Sequence, residues 1–215
     1  MPVATVVLPT HDHGSLLRLS LRTVQEQTVE DIEIFVIGDG VPDATRELVA
    51  EAAEGDPRIR FFDNPKGPRN GEIHRHASLA EARGEIVCYQ SDDDLWCPDQ
   101  VAELRDLLAA ADFAHTVSLS VATGGSMTPW LAALESGVLR ALMLRGSNFV
   151  PLSAAGPRAA RRERAIAPDP REGSTPPRAG GVGARDPVAD EVARERAPGF
   201  HLLLGSVHRR SFKED

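Results

Sequence analysis

The sequence predicts an α/β protein in which a mostly parallel sheet is flanked by helices and followed by an irregular C-terminal part. Three observations carry that expectation. Through the first half, short β-branched runs alternate with longer segments of helical period. An acidic triplet, Asp92-Asp93-Asp94, follows directly on one of those runs, where open α/β sheets place their ligands. After Val121 the character changes, and residues 153–199 contain no aromatic side chain.

The elements follow in order. Val3 to Leu8 reads as a buried strand. From Ser15 to Glu26, Leu16, Leu17, Ser20, Leu21 and Val24 share one helical face, with Ser15 as the expected cap. Ile32 to Ile37 is the second strand, and Pro42-Asp43 opens a helix that runs to about Ala53. Ile59 to Phe62 supplies a third strand, and the loop from Asn64 to Gly71 leads into a helix that ends before Gly84. Glu85 to Tyr89 is the strand that delivers the triplet, and Pro98 starts a helix carrying Val101, Leu104, Leu107 and Leu108. Beyond Val121, Trp130 to Leu144 has helical spacing and Asn148 to Leu152 has strand character. The Ala, Arg, Pro and Gly of residues 155–199 offer little to bury, so that tract is expected to be flexible, with a short helix at Pro187 to Arg196.

A chain of 215 residues fits one domain, or one domain with an appendage. The net charge of -8 argues against a nucleic-acid partner held by phosphate neutralisation. Val3 to Leu8 lacks a basic leader, and Glu135 and Arg140 interrupt the best candidate for a membrane span. No transmembrane segment and no secretory signal are therefore expected. Cys88 and Cys97 have neither CxxC spacing nor a nearby ligand cluster, as reduced thiols in a cytoplasmic protein would.

Three adjacent carboxylates repel one another, and a hard divalent cation such as Mn²⁺ or Mg²⁺ would offset that repulsion. A solvated acidic turn capping the next helix is the plainer alternative. Asp39 sits in Gly38-Asp39-Gly40 at the same sheet edge, although such a turn taken alone is more often only a turn. Pro9, Thr10 and His11 also reach that edge. His11 with His13 is set aside as a zinc pair because further ligands at suitable spacing are lacking. Lys66, Arg69 and Arg75 surround the loop before the third helix, where they could face a diphosphate or a nucleobase; each taken singly reads as solvated surface.

The series Val6-Val7-Leu8-Pro9-Thr10-His11-Asp12, Gln27-Thr28, Glu33 to Gly40, Arg75-His76, Ala82-Arg83-Gly84-Glu85 and Ser91 to Asp99 resembles glycosyltransferase family 2 over about 115 residues. That resemblance implies a Rossmann-like glycosyltransferase-A fold. Residues 1–121 would bind the nucleotide sugar, 122–154 would begin the acceptor half, 155–199 would be the flexible tract and 200–215 a C-terminal tail. It implies transfer of a sugar, with inversion, from a nucleoside-diphosphate sugar, a UDP-sugar foremost, to an unidentified acceptor.

By the same resemblance Thr10 and Asp39 would contact the base, Asp92 the ribose side, and Arg75 the base or phosphates. Asp93, with Asp94 as its partner, would hold the metal. Gly38, His76 and Ser91 depart from the family's usual Asp, Asn and Asp, which leaves open which two carboxylates bind the ion. The expected base is a downstream carboxylate; Asp186, Asp190 and Glu191 are remote enough but lie where the resemblance ends, so no catalytic residue is assigned. A nucleotide-sugar-binding remnant with little transferase activity is the alternative, because the acceptor half is atypical. A phosphotransfer domain built on the triplet lacks a P-loop and a GxGxxG turn.

Overall fold

The computed structural model describes residues 1–122, 124–130, 134, 136–145 and 150–159, together with the backbone of 200–204 and 211–212. Four parallel strands form the central sheet: β1 (Ala4–Thr10), β2 (Ile32–Asp39), β3 (Ile59–Asn64) and β4 (Ile86–Tyr89), in the order β3-β2-β1-β4. Three helices make the crossovers: α1 (Ser15–Gln25), α2 (Asp43–Gly55) and α3 (Glu72–Leu79). The β-branched runs are near-continuous in β1 and β2 because both strands are covered on both faces, and every residue of β2 is buried. The edge strand β3 is only partly covered, with Ile59 buried, Phe61 and Phe62 half-buried and Arg60 and Asp63 exposed.

Strand period two divides the core. Ala4, Val6, Leu8, Ile32, Ile34 and Val36 pack with Leu17, Leu21 and Val24 of α1 on one face. Val7, Phe35, Ile37 and Val87 pack with Leu79 and Ala82 on the other. At the amino end of that second face stands buried Glu33, whose carboxylate accepts from the Thr5 hydroxyl at 2.6 Å, from the Gly84 N–H at 3.2 Å and from the backbone and side chain of Arg83. Gly84 is required by space: a Cβ there would lie 2.2 Å from the Thr5 nitrogen.

Beyond β4 the chain forms β5 (Leu95–Trp96), α4 (Gln100–Leu108), β6 (Phe113–His115), β7 (Val117–Val121), β8 (Met127–Trp130), α5 (Gly137–Leu144) and β9 (Ala155–Pro157), then β10 (Phe200–Leu204) and β11 (Ser211–Phe212). A second sheet runs β5-β10-β7-β8, and a third runs β11-β6-β9.

Several expectations are corrected here. Gly14, at φ 50, caps α1 without a side-chain hydrogen bond, so Ser15 is the first helical residue, and Leu16 is exposed. Helix α4 starts at Gln100 because Pro98 and Asp99 form a turn. Residues Met127–Trp130 are a strand, and among the described residues of that stretch the helix is Gly137–Leu144. The irregular tract does not begin at 155, since Ala155–Pro157 is a buried strand paired with β6. Within the expected C-terminal tail, the backbone at 200–204 and 211–212 pairs into the second and third sheets. Asn148 and Phe149, all of Pro187 to Arg196, and Asp186, Asp190 and Glu191 lie outside the described residues, while Val150 to Leu152 do not form the expected strand and Leu152–Ala154 is a short 3-10 turn. Among the described residues no helix is long and apolar enough to cross a membrane.

Candidate functional site

The registers set Thr10 beside Gly38 and Asp39 beside Asn64, so β1, β2 and β3 end level with one another. Strand β4 ends at the same side, where the Gln90 N–H donates to the Val7 carbonyl at 3.0 Å before the acidic turn. A cleft of about 320 Å³ opens there, lined by Pro9, Thr10, His11, His13, Ile37, Asp39, Lys66, Asn70, Gly71, Arg75, Ser91, Asp92 and Leu152. The fold thus gathers Pro9, Thr10, His11, Asp39, Arg75 and Asp92 around one space, although they span more than eighty positions of sequence. Arg69 is not among the lining residues; it sits outside the cleft with a left-handed φ of 54.

Asp39 is enclosed by the loop that follows β3. Its Oδ2 pairs with the Lys66 ammonium, and its Oδ1 accepts from the Gly67 N–H at 2.6 Å, with the His74 ring at 3.6 Å. Burial disfavours the charged carboxylate, but Lys66 and Gly67 outweigh it and hold Asp39 below the usual carboxylate range. Gly71, at φ 69, touches the same carboxylate: a Cβ would lie 2.8 Å from Asp39 Cγ. His11 Nδ1 donates to the Asp39 carbonyl at 2.7 Å and ties the end of β1 to the end of β2.

The three acidic residues of the triplet have different surroundings. Asp94 turns inward: it is buried, its Oδ2 accepts from the Ser153 hydroxyl at 2.6 Å, and its carbonyl accepts from Ser20 and Gln90, each at 2.6 Å. Ser153 also accepts from the Ser91 N–H at 2.8 Å, and its carbonyl accepts from the Trp96 indole at 2.8 Å. Asp94 therefore anchors the turn to the segment at 150–157, and the compact set of metal-ligand atoms among the described residues consists of His13, Asp92 and Asp93 instead. One atom from each of these lies within 4.8 Å of the others.

Asp92 Oδ1 is 2.6 Å from His13 Nδ1. That hydrogen bond raises His13 above the ordinary imidazole value, against the opposing effect of burial. Asp92 Oδ2 and Thr10 Oγ1 are buried with no hydrogen-bond partner among the described residues. An orphaned buried carboxylate oxygen is costly, and a cation or a ligand hydroxyl would relieve it. The donor set and the orphaned oxygen together fit a divalent cation.

Sequence reasoning missed Ser153, which it placed beside the irregular tract, and it set His13 aside. The short apolar stretch around Ser153, with Val150, Ala154 and Ala155 all buried, was the available signal for a packed segment. For His13 the signal lay 79 positions away, at Asp92.

A parallel sheet of order β3-β2-β1-β4 with an acidic turn at its carboxyl edge defines a Rossmann-like α/β fold, the class the sequence predicts. The sequence model of glycosyl transferase family 2 matches residues 5–166, and the chain belongs to that family. It is 32% identical over 94 residues to the GalNAc(5)-diNAcBac-PP-undecaprenol beta-1,3-glucosyltransferase of Campylobacter jejuni, a match covering 44% of this chain and 30% of that protein. It is also 32% identical over 103 residues to the succinoglycan biosynthesis protein ExoW of Rhizobium meliloti, covering 47% and 32%. The chain thus spans about a third of the length of these relatives. The mannosyltransferase PcManGT of Pyrobaculum calidifontis superposes with a TM-score of 0.51 at 20% identity, over 76% of this chain and 46% of that one. TarS of S. aureus gives a TM-score of 0.55 at 14% identity, over 80% and 51%. These likenesses establish the glycosyltransferase-A fold.

Proposed function

We propose that this chain binds a nucleoside-diphosphate sugar, a UDP-sugar foremost, at the carboxyl ends of β1, β2 and β4 and transfers the sugar, with inversion, to an acceptor. The observation that carries the reading is the convergence of Thr10, Asp39, Arg75 and Asp92 on one cleft in a family 2 chain. The similar mannosyltransferase is described in complex with GDP-Man and Mn²⁺, the class of ligands proposed here.

Pro9, Thr10, His11 and Asp39 form the side of the cleft assigned to the base. Both Asp39 oxygens are engaged by Lys66 and Gly67, so a base N–H must share Asp39 with Lys66 or displace it. Arg75, half-buried on α3, supplies fixed positive charge for the phosphates. Buried Asp92 presents its unpartnered oxygen for the ribose side. Asp93, beside Asp92, would hold Mn²⁺ or Mg²⁺, whose charge would offset that of a departing diphosphate. The same reading places the protein in the cytoplasm, where the buried Cys88 thiol, pushed up to about 12 by desolvation, stays reduced.

The test is a binding screen of nucleoside diphosphates with and without Mn²⁺, followed by hydrolysis and transfer assays with the corresponding sugars. Metal-dependent binding of UDP is expected, together with release of the diphosphate from a UDP-sugar. Binding without turnover would reduce the protein to a donor-binding domain, and absence of both would overturn the proposal.

A further inference from the structure

We infer that His74, which does not line the cleft, is a positioning residue for base recognition: it holds the loop after β3 so that Lys66 and Gly67 meet Asp39. This role rests on the reading above that Asp39 faces the base, and it names what keeps the partners of Asp39 in place.

Residues 65–70 join β3 to α3 with two prolines, a glycine and a polar remainder, so their order has to come from hydrogen bonds and close packing. Asn64 ties the start of the loop. Its side chain donates to the Gly38 carbonyl at 3.1 Å, and its own carbonyl accepts from the Gly40 N–H at 2.8 Å. Lys66 then sits directly over the turn after β2, since a Cβ on Gly40 would lie 2.7 Å from Lys66 Cβ.

His74 reaches back to this loop from the first turn of α3. Its Nε2 is 3.0 Å from the Pro65 carbonyl oxygen, which can only accept, so Nε2 carries the proton and donates. The same ring clamps Gly67 against Asp39: a Cβ on Gly67 would lie 2.7 Å from His74 Nε2 and 3.2 Å from Asp39 Oδ1. Between those two groups the Gly67 N–H meets Oδ1 at 2.6 Å. Asp39 Oδ1 is 3.6 Å from His74 Nε2, too far for a hydrogen bond, so His74 acts on the loop and not on the carboxylate. With its side chain 17% exposed, the ring is a packed part of this corner. A loop ordered in advance spares the incoming base the cost of ordering it.

The experiment titrates the full 215-residue chain in Mn²⁺ with UDP, CDP and inorganic pyrophosphate, as wild type, His74→Ala and His74→Gln. Uracil offers an N–H to Asp39, cytosine offers a lone pair at the same ring position, and pyrophosphate has no base. Glutamine keeps an N–H donor near Nε2 but carries no charge, which separates the hydrogen bond to Pro65 from any charge on the imidazole. Wild type should prefer UDP to CDP by at least about tenfold. His74→Ala should lose at least about fivefold in UDP affinity, with CDP and pyrophosphate moving by less than about twofold. His74→Gln should stay within about twofold of wild type for all three. Where wild type prefers UDP, an alanine variant that binds UDP as wild type does, equal losses for UDP and pyrophosphate, or a glutamine variant no better than alanine would overturn the role of His74 and leave base reading by Asp39 standing. A wild type without preference for UDP over CDP would overturn the base assignment and the inference together.

Discussion

Gly71→Ala puts the enclosure of Asp39 under direct strain. Gly71 has a φ of 69, and an alanine there pays roughly 1–2 kcal/mol for left-handed backbone. The added Cβ would also lie 2.8 Å from Asp39 Cγ and 2.9 Å from Oδ2, so the carboxylate must swing away. It then gives up the Gly67 N–H, a hydrogen bond to a charged group contributing about 1.5–3 kcal/mol. The Lys66 pair adds less than about 1 kcal/mol, because the lysine is half-exposed and solvent screens it. The expected loss is about 3–5 kcal/mol, or a melting point lowered by roughly 6–20 °C for a chain of this size. Urea titration with an unchanged slope would attribute the loss to the folded state. UDP affinity should fall at least about tenfold, while affinity for Mn²⁺ alone stays within about twofold, since the metal side of the cleft is untouched. A variant melting within about 2 °C of wild type would refute the packing of Gly71 against Asp39.

Other perturbations separate structure from chemistry. Asp94→Ala should cost about 1–3 kcal/mol by leaving the buried Ser153 hydroxyl without its acceptor, with Mn²⁺ affinity within about twofold of wild type. Asp93→Ala should do the reverse in the same two assays, losing at least about tenfold in Mn²⁺ affinity with stability within about 0.5 kcal/mol. Burial opposes the Glu33 charge, but the Thr5 hydroxyl and Arg83 outweigh it and lower its pKa from 4.5, so its contribution is complete above that pH and is lost as pH falls through the folded value. Wild type should therefore exceed Glu33→Gln by about 1–2 kcal/mol at neutral pH, and denaturant melts below pH 4.5 should show the difference shrinking. Gly84→Ala should cost about 3 kcal/mol or more, because its Cβ meets backbone at 2.2 and 2.4 Å, whereas Gly55→Ala meets nothing within 4 Å and should be neutral or stabilising by up to about 1 kcal/mol.

The strands that build the site were legible because their signal is local. Val6 to Leu8 and Ile32 to Ile37 are buried on both faces and so read as near-continuous apolar runs rich in β-branched residues, with Glu33 the one interruption. The position of the acidic triplet after β4 followed from the same logic. What local pattern could not show was how each carboxylate of the triplet is used. The side-chain partner of Asp94 is Ser153, 59 positions away, and that of Asp92 is His13, 79 positions away. Strand β5 has two residues and is defined by its pairing with β10, more than a hundred positions downstream. Segment 155–157 was misread from composition, because Gly156 and its neighbours serve by being small: a Cβ on Gly156 would lie 2.3 Å from the Val87 carbonyl oxygen. The enclosure of Asp39 likewise depends on Gly67 and Gly71 arriving from a polar loop that carries no hydrophobic pattern.

The most direct test of a metal-bridged nucleotide site is a calorimetric titration of wild-type protein with UDP, once in Mn²⁺ and once in chelator. The carboxylates of Asp92 and Asp93 and the diphosphate are all anionic, so without a cation that end of the cleft repels the diphosphate. UDP should bind in Mn²⁺ at least about tenfold more tightly than in chelator. Equal affinity under the two conditions would contradict the metal-bridged site.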